Sequence, residues 1–351
     1  MPTTAELLNW MTLTASVNEM KRPNQFLKRL LYGNHEPVAT ESIEVGLLQE
    51  DRKAAPFVRA GAEALMVQGH SDVFRNISAP NIRIKAALDP NKLISQRRPG
   101  DRIFVSGKSD VIASAQRYIT QIQQGLEDQV INAEEYLISR SLQGVISYSV
   151  ADEEVFTITF PRPAANNVTL DTWWDDADPD NVTLELDFHL IKSLASETTT
   201  GLPLTDAIMG STAATAFLKL ARLKNIPLGN INQGTIDFTT QFNEDGVIFL
   251  GTFSGVRLWQ YNRSVILNGS STDMIRTNYV EFISSSPQTE RVLYYGAIPD
   301  MDAIENGNIV SERFSKSWKV SDPSARYMLV QSRPLPVPRR VDASFSVKVL
   351  A

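Results

Sequence analysis

No cysteine occurs among the 351 residues, which removes disulfide frameworks, thiolate metal sites and cysteine nucleophiles together. The absence suits a reducing compartment such as the cytosol. Histidine is nearly as scarce: His35, His70 and His189 stand apart with no His-Glu-x-x-His spacing, so each reads as a surface or core residue rather than a metal ligand. A basic excess is missing too. Lys plus Arg number 34 against 40 Asp plus Glu, a formal charge of −6, and the basic pairs (Lys21-Arg22, Lys28-Arg29, Arg97-Arg98, Arg339-Arg340) are scattered rather than gathered into a phosphate-gripping stripe. Sequence-specific DNA recognition is therefore not expected. No run of apolar residues reaches the length of a membrane span, and the opening Met1-Pro-Thr-Thr-Ala-Glu-Leu-Leu8 has no basic region ahead of an apolar stretch. A soluble product without a visible export signal is expected.

Hydrophobic residues make up 42% and charged residues 21%, an ordinary globular composition with length enough for a substantial core. The dominant pattern runs from Ser109 to Gly144. Ile112, Ala115, Ile119, Ile122, Leu126, Val130, Ala133, Leu137 and Leu142 recur in helical steps with Gln, Glu, Asp and Arg between them. Such a helix is roughly 50 Å long. Ser109 or Asp110 suits its N-cap and Gly144 its C-terminal stop; Gly125 in the middle costs about 1 kcal/mol against Ala. A helix of this length needs apolar partners along its side, and it reads as the spine of the molecule.

Around the spine the sequence predicts short elements. Two helical pieces occupy residues 1–35, one behind a Thr3/Glu6 capping box and one over Phe26, Leu27, Leu30 and Leu31, and neither is stable alone. Gly61–Gln68 and Asn81–Ala86 read as two strands of an extended ribbon that needs a neighbouring surface, the second alternating Ile82, Ile84 and Ala86 against Arg83 and Lys85. Val145–Val150 and Val155–Phe160 form a hairpin placing Tyr148, Phe156, Ile158 and Phe160 over the spine. Residues 182–195 fit a strand through Val182, Leu184, Leu186, Phe188 and Leu190, and a helix through Leu184, Phe188, Ile191 and Leu194. A helix over Ala213–Leu223 is clearer, and Thr235–Phe242 and Val247–Tyr261 read as strands turned by Asn243-Glu-Asp-Gly246.

Candidate chemistry is thin. Gly100-Asp-Arg-Ile-Phe-Val-Ser-Gly107-Lys108-Ser109 suggests a phosphate loop, but that loop needs four residues between its glycines and here there are six. A turn and helix cap accounts for it. Asp176, Asp178, Asp180 and Asp187 are spaced like a calcium loop, yet Asn181 replaces the required Gly and Pro179 interrupts it, which favours a solvated acidic turn. No Gly-x-Ser-x-Gly elbow is present. No catalytic set, metal or cofactor is implied.

Read end to end, the chain resembles the lambda-type family of tailed-phage major capsid proteins. The likeness begins with Phe26-Leu27-Lys28-Arg29-Leu30-Leu31, Thr40-Glu41 and Ala55-Pro56-Phe57-Val58. It continues through Trp174, Asp178-Pro179, Gly201, Met209-Gly210, Gly251, Gly255, Tyr261 and Tyr295-Gly296. It closes with Trp318, Asp322-Pro323, Gln331-Ser332, Pro334-Leu335 and Val347-Lys-Val-Leu-Ala351. The resemblance implies an α+β fold, the tailed-phage and herpesvirus shell fold: an N-terminal arm (1–54), an extended two-stranded loop or β-ribbon (55–107), a peripheral domain (108–181) with spine helix 109–144, an axial domain (182–310) and strands returning to the peripheral domain (311–351). It also implies that 182–195 is helical. The function implied is non-enzymatic: self-assembly as pentamers and hexamers into an icosahedral head, around double-stranded DNA held non-specifically, with portal, scaffold and decoration proteins as partners and no membrane. Such a protein is expected in the virion, and in the host cytoplasm during assembly. Net negative charge suits a container whose genome must leave it. The self-association contacts expected on neighbouring subunits are Phe26, Leu30, Met66, Ile82, Ile84 and Trp318. Two other readings remain open at this point: a cellular encapsulating compartment of the same fold, and a P-loop-like nucleotide enzyme using Lys108 and Ser109.

Overall fold

A computed structural model describes residues 25–47, 73–88, 108–149, 155–198, 201–226, 241–242, 246–267, 269–305, 307, 310–321 and 325–351, with 73–74, 108–117, 149 and 241–242 described by backbone only. In chain order come α1 (Phe26–Leu31), β1 (Asn34–Pro37), β2 (Ser42–Leu47), β3 (Val73–Ser78), β4 (Ile82–Leu88) and α2 (Lys108–Leu142). Then follow β5 (Val145–Ser149), β6 (Val155–Thr159), β7 (Asn167–Thr169), α3 (Leu184–Glu197), β8 (Asp206–Met209), α4 (Ser211–Leu223), β9 (Gln241–Phe242), β10 (Val247–Phe253) and β11 (Val256–Tyr261). The rest are β12 (Ser264–Leu267), β13 (Ser270–Asp273), β14 (Tyr279–Ile283), β15 (Arg291–Tyr295), α5 (Met301–Glu305), β16 (Phe314–Val320), β17 (Ala325–Ser332), β18 (Pro334–Pro338) and β19 (Ser344–Lys348).

The expected spine is present as α2, 35 residues long, and Gly144 at φ +78° ends it in the conformation a Cβ resists. Its first half carries the three-stranded sheet β16-β17-β4, where Leu88, Met328 and Val330 pack on Ile119, Leu126 and Val130. Its second half lies under a seven-stranded sheet of order β7-β19-β14-β8-β11-β10-β9. Because side chains alternate across a strand, Ile208 and Ile283 face Ile138, Leu142 and α1 on that side, while Ala207, Met209, Val280 and Phe282 face α3 and α4 on the other. The α3/α4 layer is aromatic at its centre: the Phe188 ring lies 4.9 Å from Phe253 and 5.1 Å from Phe282, both edge-on.

Residues 184–197 form a helix, and burial explains why the helical period prevails. Leu184, Phe188, Ile191 and Ala195 are buried, whereas Leu186 and Leu190, needed by the alternating pattern, are 66% and 47% exposed. The predicted strand Val247–Tyr261 is two strands. Ser254 (φ 50°) and Gly255 (φ 75°) turn the chain, two positive φ values in succession as a tight hairpin requires. Of Thr235–Phe242 only the last two residues are described.

Of the expected ribbon, Gly61–Gln68 lies outside the described residues, and Ile82–Leu88 is the edge strand of the spine-packed sheet, Ile84 opposite Val330. β2 and β3 form a two-stranded sheet, Ser42 opposite Ser78 and Leu47 opposite Val73. In the closing segment β16 and β17 lie on α2, and β19 inserts between β7 and β14. Non-local pairing of this kind leaves no local trace in the sequence. The first predicted helical piece, before Gln25, lies outside the described residues.

Candidate assembly surfaces and the charge cluster beneath them

The short helix α1 is too small to hold itself, and the spine supplies its cap. Gln25, at the N-cap position, makes no side-chain capping bond; the N–H groups of Leu27 and Lys28 donate to the two oxygens of Glu135 at 2.8 and 3.2 Å. The neighbouring Glu134 accepts from Lys28 Nζ at 2.7 Å, Tyr295 Oη at 2.6 Å and Arg313 Nη2 at 2.5 Å. Arg313 also reaches Glu127 at 2.6 Å, about two turns further back on the same face of α2. Glu127, Glu134, Glu135 and Arg313 are all buried, so this is an ion cluster inside the protein that ties α1 and β16 to one stretch of α2.

Burial drives the Glu134 carboxyl upward, but Arg313 and Lys28 more than offset it and the net shift is down. Glu135 has weaker help. Burial pushes it from its ordinary 4.5 up to about 7, against the two backbone donors that favour the charged form, and the Glu134 charge adds to the rise. A folded-state value above the unfolded one means that the native protein holds the proton longer. Glu135 therefore contributes stability below pH 4.5 that is lost as pH rises through about 7. Glu135→Gln imitates the neutral acid. We expect this variant to match the parent near pH 5 and to melt at a higher temperature near pH 8, whereas Glu135→Ala loses the acceptor and melts lower at both, by about 1–3 kcal/mol.

Phe26, Leu30, Ile82 and Ile84, expected on neighbouring subunits, are used within the chain. Phe26 is 5% exposed with its ring 5.2 Å from Trp259 and 5.6 Å from Tyr261, and half-buried Leu30 packs on the same cluster. Ile82 and Ile84 are half-buried on the α2 face of their sheet. Met66 lies outside the described residues. Trp318 is half-buried on the outward side of β16, stacked on Tyr327 at 5.7 Å, with Lys316 5.9 Å from its ring and Lys85 5.6 Å from that of Tyr327. The apolar side chains that do reach solvent include Leu186 and Leu190 on α3, Met301 and Ile304 on α5, and Phe156 in the β5–β6 hairpin. Of these only Phe156 and the ambiguous α3 leucines stand out in the sequence.

The acidic turn is held by its own carboxylates. Asp176 and Asp178 accept from the N–H groups of Asp178 and Asp180, and Asp187 accepts from Trp174 Nε1 at 2.9 Å. Lys108 and Ser109 open α2, described by backbone only. His35 pairs with Glu312 at 3.0 Å, His189 is exposed on α3, and His70 is outside the described residues. Among the described residues, no three His, Asp or Glu side chains gather as a metal site would require.

A long spine helix between a small sheet and a larger helix-covered sheet, with an N-terminal segment clipped to the spine, is the architecture of phage head-shell proteins. It superposes with a TM-score of 0.74 on a protein described as a capsid protein of a prophage of Escherichia coli CFT073, at 17% identity over 98% of this chain and 99% of that one. A phage-related protein of Bordetella bronchiseptica RB50 follows at 0.51, with 14% identity over 96% and 95% of the two chains. The encapsulin of Synechococcus elongatus PCC 7942 stands at 0.50, also 14% identical, over 96% and 95%. Residues 9–349 match the family of phage major capsid protein E, and the chain belongs to that family. It is a head-shell protein. No curated protein matches it.

Proposed function

We propose that copies of this chain close, as pentamers and hexamers, into an icosahedral head that encloses double-stranded DNA without reading its sequence. The observation that carries the reading is family membership over nearly the whole chain, residues 9–349. The exposed leucines of α3 and the Trp318 face supply apolar area that a monomer leaves in water, and many modest contacts of this size sum in a closed assembly. In this reading the α3/α4 side of the seven-stranded sheet forms the axial lobe and the α2 side the peripheral one. Of the six self-association residues expected above, Phe26 is buried in its own chain; Leu30, Met66, Ile82, Ile84 and Trp318 are kept in this reading as contacts. The role is structural rather than catalytic. Its partners are a portal, a scaffold and a decoration protein, and its sites are the host cytoplasm during assembly and then the virion. Among the described residues, no helix is long and apolar enough to cross a membrane.

The reading separates from an enzyme-storing compartment by contents. Particles made alongside a portal and packaging motor are expected to hold nuclease-resistant double-stranded DNA. Particles that instead retain a folded enzyme and no DNA would favour the compartment.

A further inference from the structure

We propose that the pocket between the C-terminal end of α2 and the β14-β19-β7 flank of the large sheet binds a phosphate group. The inference stands on the geometry of a single chain and not on the shell reading.

Cross-strand pairing decides what this flank presents. Val280, Val347 and Val168 are register neighbours that face α3 and α4, so the residues on either side of them face α2. Those residues are Tyr279, Lys348 and Thr169 in one row and Glu281, Ser346 and Asn167 in the next. A surface that is apolar at Ile208 and Ile283 therefore turns polar here. With Gln143 and Arg276 it borders a pocket of about 360 Å³, whose lining carries one charge, Arg276, and no acid.

Behind the lining two guanidinium groups serve one carboxylate. Glu281 is completely buried and accepts from Arg276 Nη2 at 3.1 Å and from Ser346 Oγ. Arg162 donates to the same Ser346 Oγ at 3.0 Å and to the Leu142 carbonyl at 2.9 Å. Burial pulls the Arg162 guanidinium below its ordinary range; Glu281 opposes that fall and the positive charge of Arg276 adds to it. On these two rows and their supports Arg162, Arg276 and Lys348 outnumber Glu281, a local positive balance in a chain whose net charge is −6.

The donors here are only partly used. Arg276 Cζ lies 3.5 Å over the Tyr279 ring, which fixes the plane of the guanidinium, and about a third of the side chain, 34%, stays in solvent. Its Nε is buried without an acceptor among the described residues. Gln143 Oε1 accepts from Arg140 at 3.3 Å, which leaves Nε2 to donate, and that nitrogen is also buried without an acceptor. The Tyr279 and Thr169 hydroxyls and the Asn167 amide complete a lining rich in donors. A guanidinium pairs with phosphate through parallel N–H bonds. A carboxylate has too few oxygens for donors arriving from two strands, a helix end and a guanidinium; a phosphate has enough.

Calorimetric titration of the unassembled full chain with inorganic phosphate, against chloride of equal ionic strength, tests the proposal. Saturable binding of one phosphate per chain is expected. Asn167→Asp puts a negative charge at an exposed position of the lining and should weaken binding about tenfold. Arg276→Gln should remove it. Thermal melts show that each variant is folded, and they add a second readout. Exclusion of phosphate from protein surfaces raises every variant alike. A bound ion should raise the parent by about 2 °C more than Asn167→Asp at ten times the parent's Kd. A short DNA duplex that competes with phosphate would identify the group as a nucleic-acid backbone phosphate, and one that does not would identify it as the free ion; the site stands in both cases. No saturable binding to the parent, or equal binding to the parent and Asn167→Asp, overturns the proposal and leaves the shell reading untouched.

Discussion

Arg313→Met should destabilise the subunit by about 3–5 kcal/mol, the largest loss expected from any single charge removal in this molecule. Arg313 is completely buried, and its two terminal nitrogens hold Glu127 at 2.6 Å and Glu134 at 2.5 Å. Methionine fills similar space but removes the guanidinium that faces both carboxylates. Arg313→Met combined with Glu127→Gln should therefore recover part of the loss, since it removes one of the two buried negative charges that Arg313 balances. Thermal melts of unassembled subunit, parent against single and double variants, measure both quantities. A single variant that melts with the parent would show that the cluster carries little of the fold's stability.

Gly210→Ala is the second. Gly210 joins β8 to α4 at φ −66°, so its backbone conformation suits any residue; space does not. A Cβ there would sit 2.2 Å from the Arg276 carbonyl oxygen and 2.6 Å from Thr277 Cα. Those are backbone atoms, and they are pinned: Gly210 N–H donates to the Tyr279 carbonyl at 3.1 Å and Ala213 N–H to that of Thr277 at 2.9 Å. Relief requires unzipping β8 from the approach to β14 at the centre of the large sheet, so a loss of about 3 kcal/mol or more, or insoluble protein, is expected. Gly125→Ala is the matched contrast. Nothing lies within 4 Å of the point where its methyl group would sit, and Ala mid-helix is favoured by about 1 kcal/mol, so this variant should melt slightly higher than the parent.

The elements with one dominant period are legible in the sequence. The spine, the β5–β6 hairpin and α4 lie where apolar spacing puts them; in the hairpin Tyr148, Ile158 and Phe160 join the cluster at Leu137 as expected, whereas Phe156 stays 44% exposed. Residues 184–197 are ambiguous for a definite reason: Leu184 and Phe188 belong to both periods, and the burial of Ile191 and Ala195 with the exposure of Leu186 and Leu190 separates them. The partner of β4 is invisible, because Ile82–Leu88 pairs with a strand more than two hundred residues further on. The buried acids read, in sequence, as part of the spine's polar face. Glu127 and Glu134 are seven apart and share a face, which could flag them, but a carboxylate goes inside only when Arg313 and Lys28 arrive from distant segments to meet it. Phe26 illustrates the same limit from the apolar side: hydrophobicity says that a side chain will be covered, and here Trp259 and Tyr261 of the same chain are the cover.

Negative-stain electron microscopy of the purified chain, concentrated stepwise, tests the central claim most directly. The account predicts closed, rounded shells of uniform diameter built from rings of five and six subunits. Well-folded monomers that persist at every concentration, alone and with scaffold supplied, would contradict it.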